Sequence, residues 1–405
     1  MGFYAAWPFF WCLAVLLALA RLPLFAAADT PPSPRPDRVA TLDGLRGFLA
    51  LAVFFHHAAI YHRFLRDGAW VLPPSRFYAL LGPVGVSVFF MITGYLFWSQ
   101  MIGSLGRPAW LRLYVGRVFR IGPLYLVAVA SMLAFVLAGT GARLNVSPSQ
   151  LAGEIGCWLA LGFVVGPDVN GYPATSSVLA GVTWTLGYEW IFYLSLPVAA
   201  LAARGRRAHL PFALAGLAGS LAWTWRLSQP SAFASDPVCV ALFFTGMSCA
   251  SLRAARIVPP LPDAAASALV LALVVAVFAA FPVAYATGPV ILLGLAFFLV
   301  ASGCTVFGLL ASRAARRLGD VSYGIYLLQG LVLALVLRPL RAASLASPVQ
   351  HWALVLVCAA LLVVLATATH TLVERPGIAL GKRVAAVLGG ARALAGRGVT
   401  ARPRG

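Results

Sequence analysis

The sequence predicts an all-α polytopic membrane protein with about ten core transmembrane helices, one extra N-terminal helix and a re-entrant segment. Three observations carry this. Hydrophobic residues fill 61% of the 405 positions and charged residues only 10%, with a mean hydropathy of +0.90, a composition outside the range of soluble domains. Apolar runs of the length a hydrocarbon core of about 30 Å requires recur along the chain. The cations behind the net charge of +19 sit in short clusters between those runs. With no continuous basic face, the charge speaks for membrane orientation and against nucleic acid as a partner.

Taken in order, the candidate spans are 43–62, 82–103, 121–139, 183–203, 209–229, 237–252, 262–282, 289–311, 321–340 and 351–373. If they alternate, 22 of the 30 cations fall on one face and seven on the other (Arg63, Arg66, Arg76, Arg143, Arg226, Arg338, Arg341), with Arg21 inside an apolar run. By the positive-inside rule the richer face, and the C-terminus with it, is cytoplasmic. Residues 152–167 cannot span without inverting everything downstream, so they are expected to be re-entrant or to lie at the outer surface. Residues 7–28 end like a signal peptide at Ala26-Ala27-Ala28, but they lack a basic start and carry Arg21. An uncleaved extra helix, joined by a Pro-rich linker over Thr30–Pro36, fits better. The expected organisation is an N-terminal helix and linker (1–40), a membrane domain (41–376) and a basic, disordered cytoplasmic tail (377–405). The six cysteines stand singly and no histidine lies at ligand spacing from them, so no metal site is expected.

Within the first span, LDGLRGFLALAVFFHHAAIYH, Arg46 and His57 are eleven residues apart. At about 100° per residue this returns His57 to within about 20° of Arg46, with Asp43 on the same face and His56 about 100° away. Ionisable groups are costly in a bilayer, so that face should line a protein interior or a wet cavity. Glu189 is an acid in the middle of another span and needs a partner. Helix rise puts it at about the depth of His57, and it is expected to orient or charge that histidine. Asp43, Arg46, Arg117, Arg120, Tyr323 and Glu374 fall instead at the cytoplasmic ends of their spans. An arginine pair one turn apart, Arg117 and Arg120, suits bidentate phosphate binding, with plain positive-inside anchoring as the competing reading.

Six stretches resemble the acyltransferase 3 family of integral membrane O-acyltransferases. They are LDGLRG with the Arg46-x10-His57 spacing, GVSVFFMITGYLF (85–97), Arg117/Arg120 followed by Pro123 and Tyr125, WTLGYEWIFYLSLP (184–197), VSYGIYLLQG (321–330) and VERP (373–376). The chain departs from the family pattern at Thr93 and Thr185, where serine is usual, and at Gln329, where a histidine is common and where glutamine cannot act as a base. The resemblance implies transfer of an acyl group, taken as acetyl, from acyl-CoA as donor substrate, with no bound cofactor, to a hydroxyl of a cell-envelope polysaccharide or related acceptor. It also implies a bacterial cytoplasmic membrane as the location. His57 would be base or acyl carrier with Glu189 beside it. Arg46, Arg117 and Arg120 would hold the donor, supported by Asp43, Thr93, Tyr193, Ser322, Tyr323 and Glu374. The rival readings are a transporter or flippase using the same intramembrane groups, and a non-catalytic binding protein.

Overall fold

The computed structural model describes residues 2–28, 39–205, 207–227 and 234–398. The linker Thr30–Pro36 and the end of the tail, 399–405, lie outside the described residues. Helices occupy every place where a span was expected: α1 (Trp7–Leu19), α2 (Ala40–Asp67), α3 (Arg76–Gly103), α4 (Trp110–Gly139), α5 (Pro148–Leu159), α6 (Trp184–Ala203), α7 (His209–Leu227), α8 (Asp236–Ala254), α9 (Asp263–Ala280), α10 (Thr287–Ala301), α11 (Arg313–Asp320), α12 (Ser322–Leu337), α13 (Arg341–Ala346), α14 (Pro348–Thr369) and α15 (Arg375–Gly398). Seven helical stretches are long and apolar enough to cross a membrane, and α11 with α12, bent by 68°, would make an eighth. All are helical because backbone polar groups in hydrocarbon must be paired within the segment.

Two of the ten expected spans, α7 and α10, come out shorter or less apolar than a crossing helix. α7 fills its place but is not among the seven. The run 289–311 is helical only as far as Ala301. Beyond it Gly303, Val306, Phe307 and Gly308 all take positive φ, and the Asp263 carboxylate accepts bonds from the Thr305 N–H and hydroxyl, both at 2.7 Å. Apolar composition alone did not reveal that stop.

The centre of the bundle is α2, α3 and α8. Each buries 72% of its apolar stretch inside the protein, against 22% for the peripheral α9. Small residues make the central contacts possible. A Cβ on Gly94 or Gly246 would run into the facing backbone carbonyl of Phe243 or Met91, and one on Gly319 would run into that of Asp43. The first turns of α2 therefore lie directly on α11. α6 turns Ile191, Leu194, Val198 and Leu201 outward, while Tyr193 and Leu196 pack inward, the two-faced pattern of a helix between lipid and protein.

The N-terminal helix is present, at 13 residues or about 20 Å, and docks tightly on the bundle. The Tyr78 hydroxyl donates to the Ala5 carbonyl (2.8 Å) and the Trp352 indole to that of Phe3 (3.0 Å). The buried Arg317 guanidinium caps the end of α1 at the Ala20 and Leu22 carbonyls, both 2.9 Å. In the 152–167 stretch, α5 is a 12-residue helix started by Ser147, whose side chain accepts from the Gln150 N–H. It is followed by turns that leave Phe163, Val164 and Val165 exposed, so the segment does not cross.

The tail departs from expectation. α14 passes through a π turn, His370–Glu374, straight into α15, so residues 375–398 are helical and not disordered. The cause is packing: Gly377 and Gly381 let α15 lie on α4, where Cβ atoms would come within 2.8 Å of Pro123 and 2.6 Å of Phe119.

Candidate active site

On α2 every residue from Val53 to His62 is buried except His57. His56 is 7% exposed, bonds the Tyr78 carbonyl through Nδ1 at 2.7 Å and fills the space left by Gly82. It is a packed core histidine. His57 is half-buried. Its Nδ1 lies 3.0 Å from the Val53 carbonyl and 3.3 Å from Oε1 of Gln329. The Gln329 amide is itself oriented by donating from Nε2 to the Tyr326 carbonyl at 2.7 Å. Both groups facing Nδ1 are acceptors, so the neutral ring carries its proton there and keeps the Nε2 lone pair. Trp70 lies over the ring, nearly parallel (21°) at 6.3 Å.

The same partial accessibility returns on facing helices. Between Ser322 and Ala334 of α12 only Tyr323 and Tyr326 keep accessible surface, and between Val86 and Tyr95 of α3 only Phe89 and Thr93 do. Each pair is three or four residues apart and so shares one helix face. Phe89 meets Tyr326 edge-on at 5.9 Å, and the Tyr326 and Thr185 hydroxyls bond at 3.1 Å. With His57 they are the partly accessible positions of three otherwise buried helix stretches.

A second polar layer lies toward the start of α2, about 16 Å along the axis from His57. Arg46 points inside the bundle, with Arg120, Asp43, Asp320 and Glu374 as its charged neighbours. Glu374 is 0% exposed and pairs with Arg120 (3.4 Å) and His370 (3.6 Å), the latter one turn back in the π turn. π turns interrupt a helix ladder and often mark functional positions. Arg117 lies over the Phe97 ring at 5.1 Å. Tyr193 donates its hydroxyl to Glu189 Oε2 at 2.6 Å, and the Tyr323 hydroxyl bonds the Ile121 carbonyl at 2.9 Å, near the Pro123 interruption of α4. Ser322 is buried at the start of α12, its hydroxyl without a hydrogen-bond partner.

One expected pairing is corrected. Glu189 does not meet His57; its partners are Tyr193, Arg117 and Arg46, and the side-chain partner of His57 is Gln329. Equal depth along two helix axes says nothing of the direction in which each side chain leaves its helix. Long arginine side chains also carry their charge well away from the depth of their Cα atoms. Arg117 and Arg120 are both partly buried, Arg117 against the Phe97 ring and Arg120 beside Glu374. Thr93 shares the partly accessible face of α3 with Phe89 and, among the described residues, bonds to none of the other candidates.

The residues missed from sequence are Tyr326, Asp320, His370 and Trp70, and the sequence marks Gln329 only as a residue that cannot act as a base. A signal existed for two of them: Gln329 lies three residues from Tyr326, and His370 four from Glu374, the spacings at which helix side chains meet. For His57, the Gln329 contact makes a measurable expectation. Gln329→Leu should lower turnover about threefold to tenfold, the worth of one orienting hydrogen bond, with the fold retained by circular dichroism. Unchanged turnover would mean that Val53 alone holds the ring.

The family model for the acyltransferase domain matches residues 39–370, from just before α2 to the π turn. Among curated proteins the chain is similar to "Acyltransferase MdmB" of Streptomyces mycarofaciens, 33% identical over 175 residues, which is 41% of this chain and 40% of that protein. It is also similar to "Nodulation protein 10" of Rhizobium leguminosarum bv. viciae, 33% identical over 170 residues, 38% of this chain and 42% of that protein. The chain thus aligns with about two fifths of the length of each relative. No solved structure matches it.

Proposed function

The chain belongs to the acyltransferase 3 family, and from that premise we propose that it is a membrane O-acyltransferase. It takes an acyl group, acetyl in the first instance, from acyl-CoA and delivers it to a hydroxyl of a cell-envelope glycan or related acceptor. The observation that carries the reading is the state of His57: its Nδ1 faces two acceptors, which leaves Nε2 its lone pair, and it is the partly accessible residue of an otherwise buried stretch.

In this reaction the acceptor oxygen attacks the thioester carbonyl carbon as its proton passes to Nε2 of His57. A new C–O bond forms, the C–S bond breaks, and the thiolate takes the proton from His57 and leaves as free CoA thiol. Arg46 and Arg117 offer cationic hydrogen-bond donors to the phosphates of the nucleotide end. Glu189 and Tyr193 hold Arg117 in place, so in this reading Glu189 acts on the donor side and not on the histidine. In this reading the thioester reaches His57 along the partly accessible positions Phe89, Thr93, Tyr323 and Tyr326.

The test is direct. Purified protein given acetyl-CoA and an envelope glycan should release free thiol in step with a mass gain of one acetyl unit on the glycan. Movement of the glycan or of CoA across a bilayer without thiol release would replace the acyltransferase reading with that of a transporter.

We further propose the orientation given by the charges, with the arginine layer on the cytoplasmic side of a bacterial inner membrane. In a Cys157→Ser background, a cysteine at Ser75 should react with an impermeant thiol reagent in intact cells and one at Arg207 should not. The opposite pattern would put the donor site on the wrong side of the membrane for cytoplasmic acyl-CoA.

A further inference from the structure

Arg338, at the end of α12, is a cation without an acid. Its Nε donates to the Tyr61 hydroxyl (3.2 Å), Nη1 to the Tyr172 hydroxyl and Nη2 to Ser177 Oγ (3.1 Å). Its charge lies over the rings of Phe135 (5.1 Å) and Phe64 (5.5 Å). Among the described residues no carboxylate is within ion-pair distance. The acids of the neighbouring loop are spent on backbone: Asp168 accepts from the Ala174 and Thr175 N–H groups, and Glu154 from that of Asn170. Three of the five guanidinium N–H donors are used, all on neutral hydroxyls, which leaves two donors and a charge met by aromatic faces and by no carboxylate.

This charge is close to the histidine. Tyr61 is one helical turn beyond His57 on the same face of α2, and Trp70 touches both, edge-on to Tyr61 at 5.5 Å and stacked over His57. The Trp70 side chain is half-buried and keeps part of its surface open. A flat, partly open aromatic ring that packs on Tyr61, to which a guanidinium without a carboxylate partner is bonded, is a surface for a sugar ring that carries an anion.

We propose that Trp70 and Arg338 form the acceptor subsite, and that the acceptor is a hydroxyl-bearing glycoside with a carboxylate or phosphate. The ring lies on Trp70 and the anion bonds the two spare N–H groups of Arg338, which brings a hydroxyl to Nε2 of His57. The inference rests on the acyltransferase reading above. Arg338 touches the acceptor outside its reacting hydroxyl and sets specificity; it takes no part in proton transfer.

The experiment compares three acceptors on the purified full-length protein with acetyl-CoA: a methyl glucuronoside, a glucose phosphate and a neutral methyl glucoside. The wild type should favour an anionic acceptor over the neutral one by about tenfold in kcat/KM, the size of one charge-assisted contact. Whichever of the first two is preferred separates uronate from sugar phosphate. Arg338→Gln should abolish the preference while leaving the KM for acetyl-CoA unchanged, and Arg338→Lys should restore part of it. Trp70→Leu should raise the KM for all three alike and keep the preference, which also covers the case in which Arg338→Gln does not fold. The same glycosides are compared as ligands by their stabilisation of the protein against heat, so the subsite is read even if none is acylated. A wild type indifferent to acceptor charge in both assays, or a preference that survives Arg338→Gln, overturns the proposal. Charge-selective stabilisation without thiol release would instead leave the subsite standing and remove the acyltransferase reading.

Discussion

Replacing His57 with alanine is expected to cost acyl transfer about 10²–10⁴-fold, the usual worth of a positioned proton-transfer group, with protein level and helix content unchanged. His57 is the residue of its stretch with accessible surface, so its truncation opens no sealed core. His56→Ala should show the opposite balance. Its ring fills the space over Gly82 and satisfies the Tyr78 carbonyl, so truncation should lower thermal stability while turnover per folded molecule stays within a few-fold of wild type, since its ring takes no part in the transfer. Equal losses of turnover from the two substitutions would break the assignment of the reactive histidine.

The second large effect is on stability. Glu374 is wholly buried and Arg120 is its nearest cation at 3.4 Å. Arg120→Ala would leave a buried carboxylate without its ion-pair arginine, with His370 and the more distant Arg46 as its remaining neighbours, and removing one partner of a buried pair costs about 3–5 kcal/mol. Poor accumulation of the folded protein is therefore expected, and Arg120→Ala with Glu374→Gln should accumulate better than Arg120→Ala alone. Arg117→Ala should behave differently. Its contacts are the Phe97 ring and the Tyr193–Glu189 pair, so the fold should survive while the KM for acyl-CoA rises and kcat changes little, as when binding common to ground and transition state is lost. If the double variant is no better than Arg120→Ala, the cost lies elsewhere than in the stranded carboxylate. If Arg117→Ala leaves KM unaltered, the donor site belongs around Arg46 and Glu374.

Much of the architecture was legible because a bilayer restricts the chain so severely. An apolar run must be a helix there, and its length and flanking charges announce it, which is why helices stand at all ten expected places and α1 and α5 fall where an extra helix and a non-crossing segment were foreseen. Helical periodicity was equally informative over short range. It separates His57 from His56 and puts Arg46, Asp43 and His57 on one face of α2, because those relations depend only on rotation within a single rigid element.

What needed tertiary structure was every relation between elements. The depth of Glu189 could be computed from helix rise, but its direction could not, and it turns to Tyr193 and Arg117 while Gln329 takes the place beside His57. The early end of α10 and the helical course of α15 likewise depend on outside partners, Asp263 for the first and the Phe119–Pro123 surface of α4 for the second. Sequence alone determined that this is a helical membrane protein of the acyltransferase 3 type with Arg46 and His57 on a common helix face. The fold decided which groups those residues meet, because hydrophobicity specifies that a helix is buried without specifying the rotation or neighbours with which it packs.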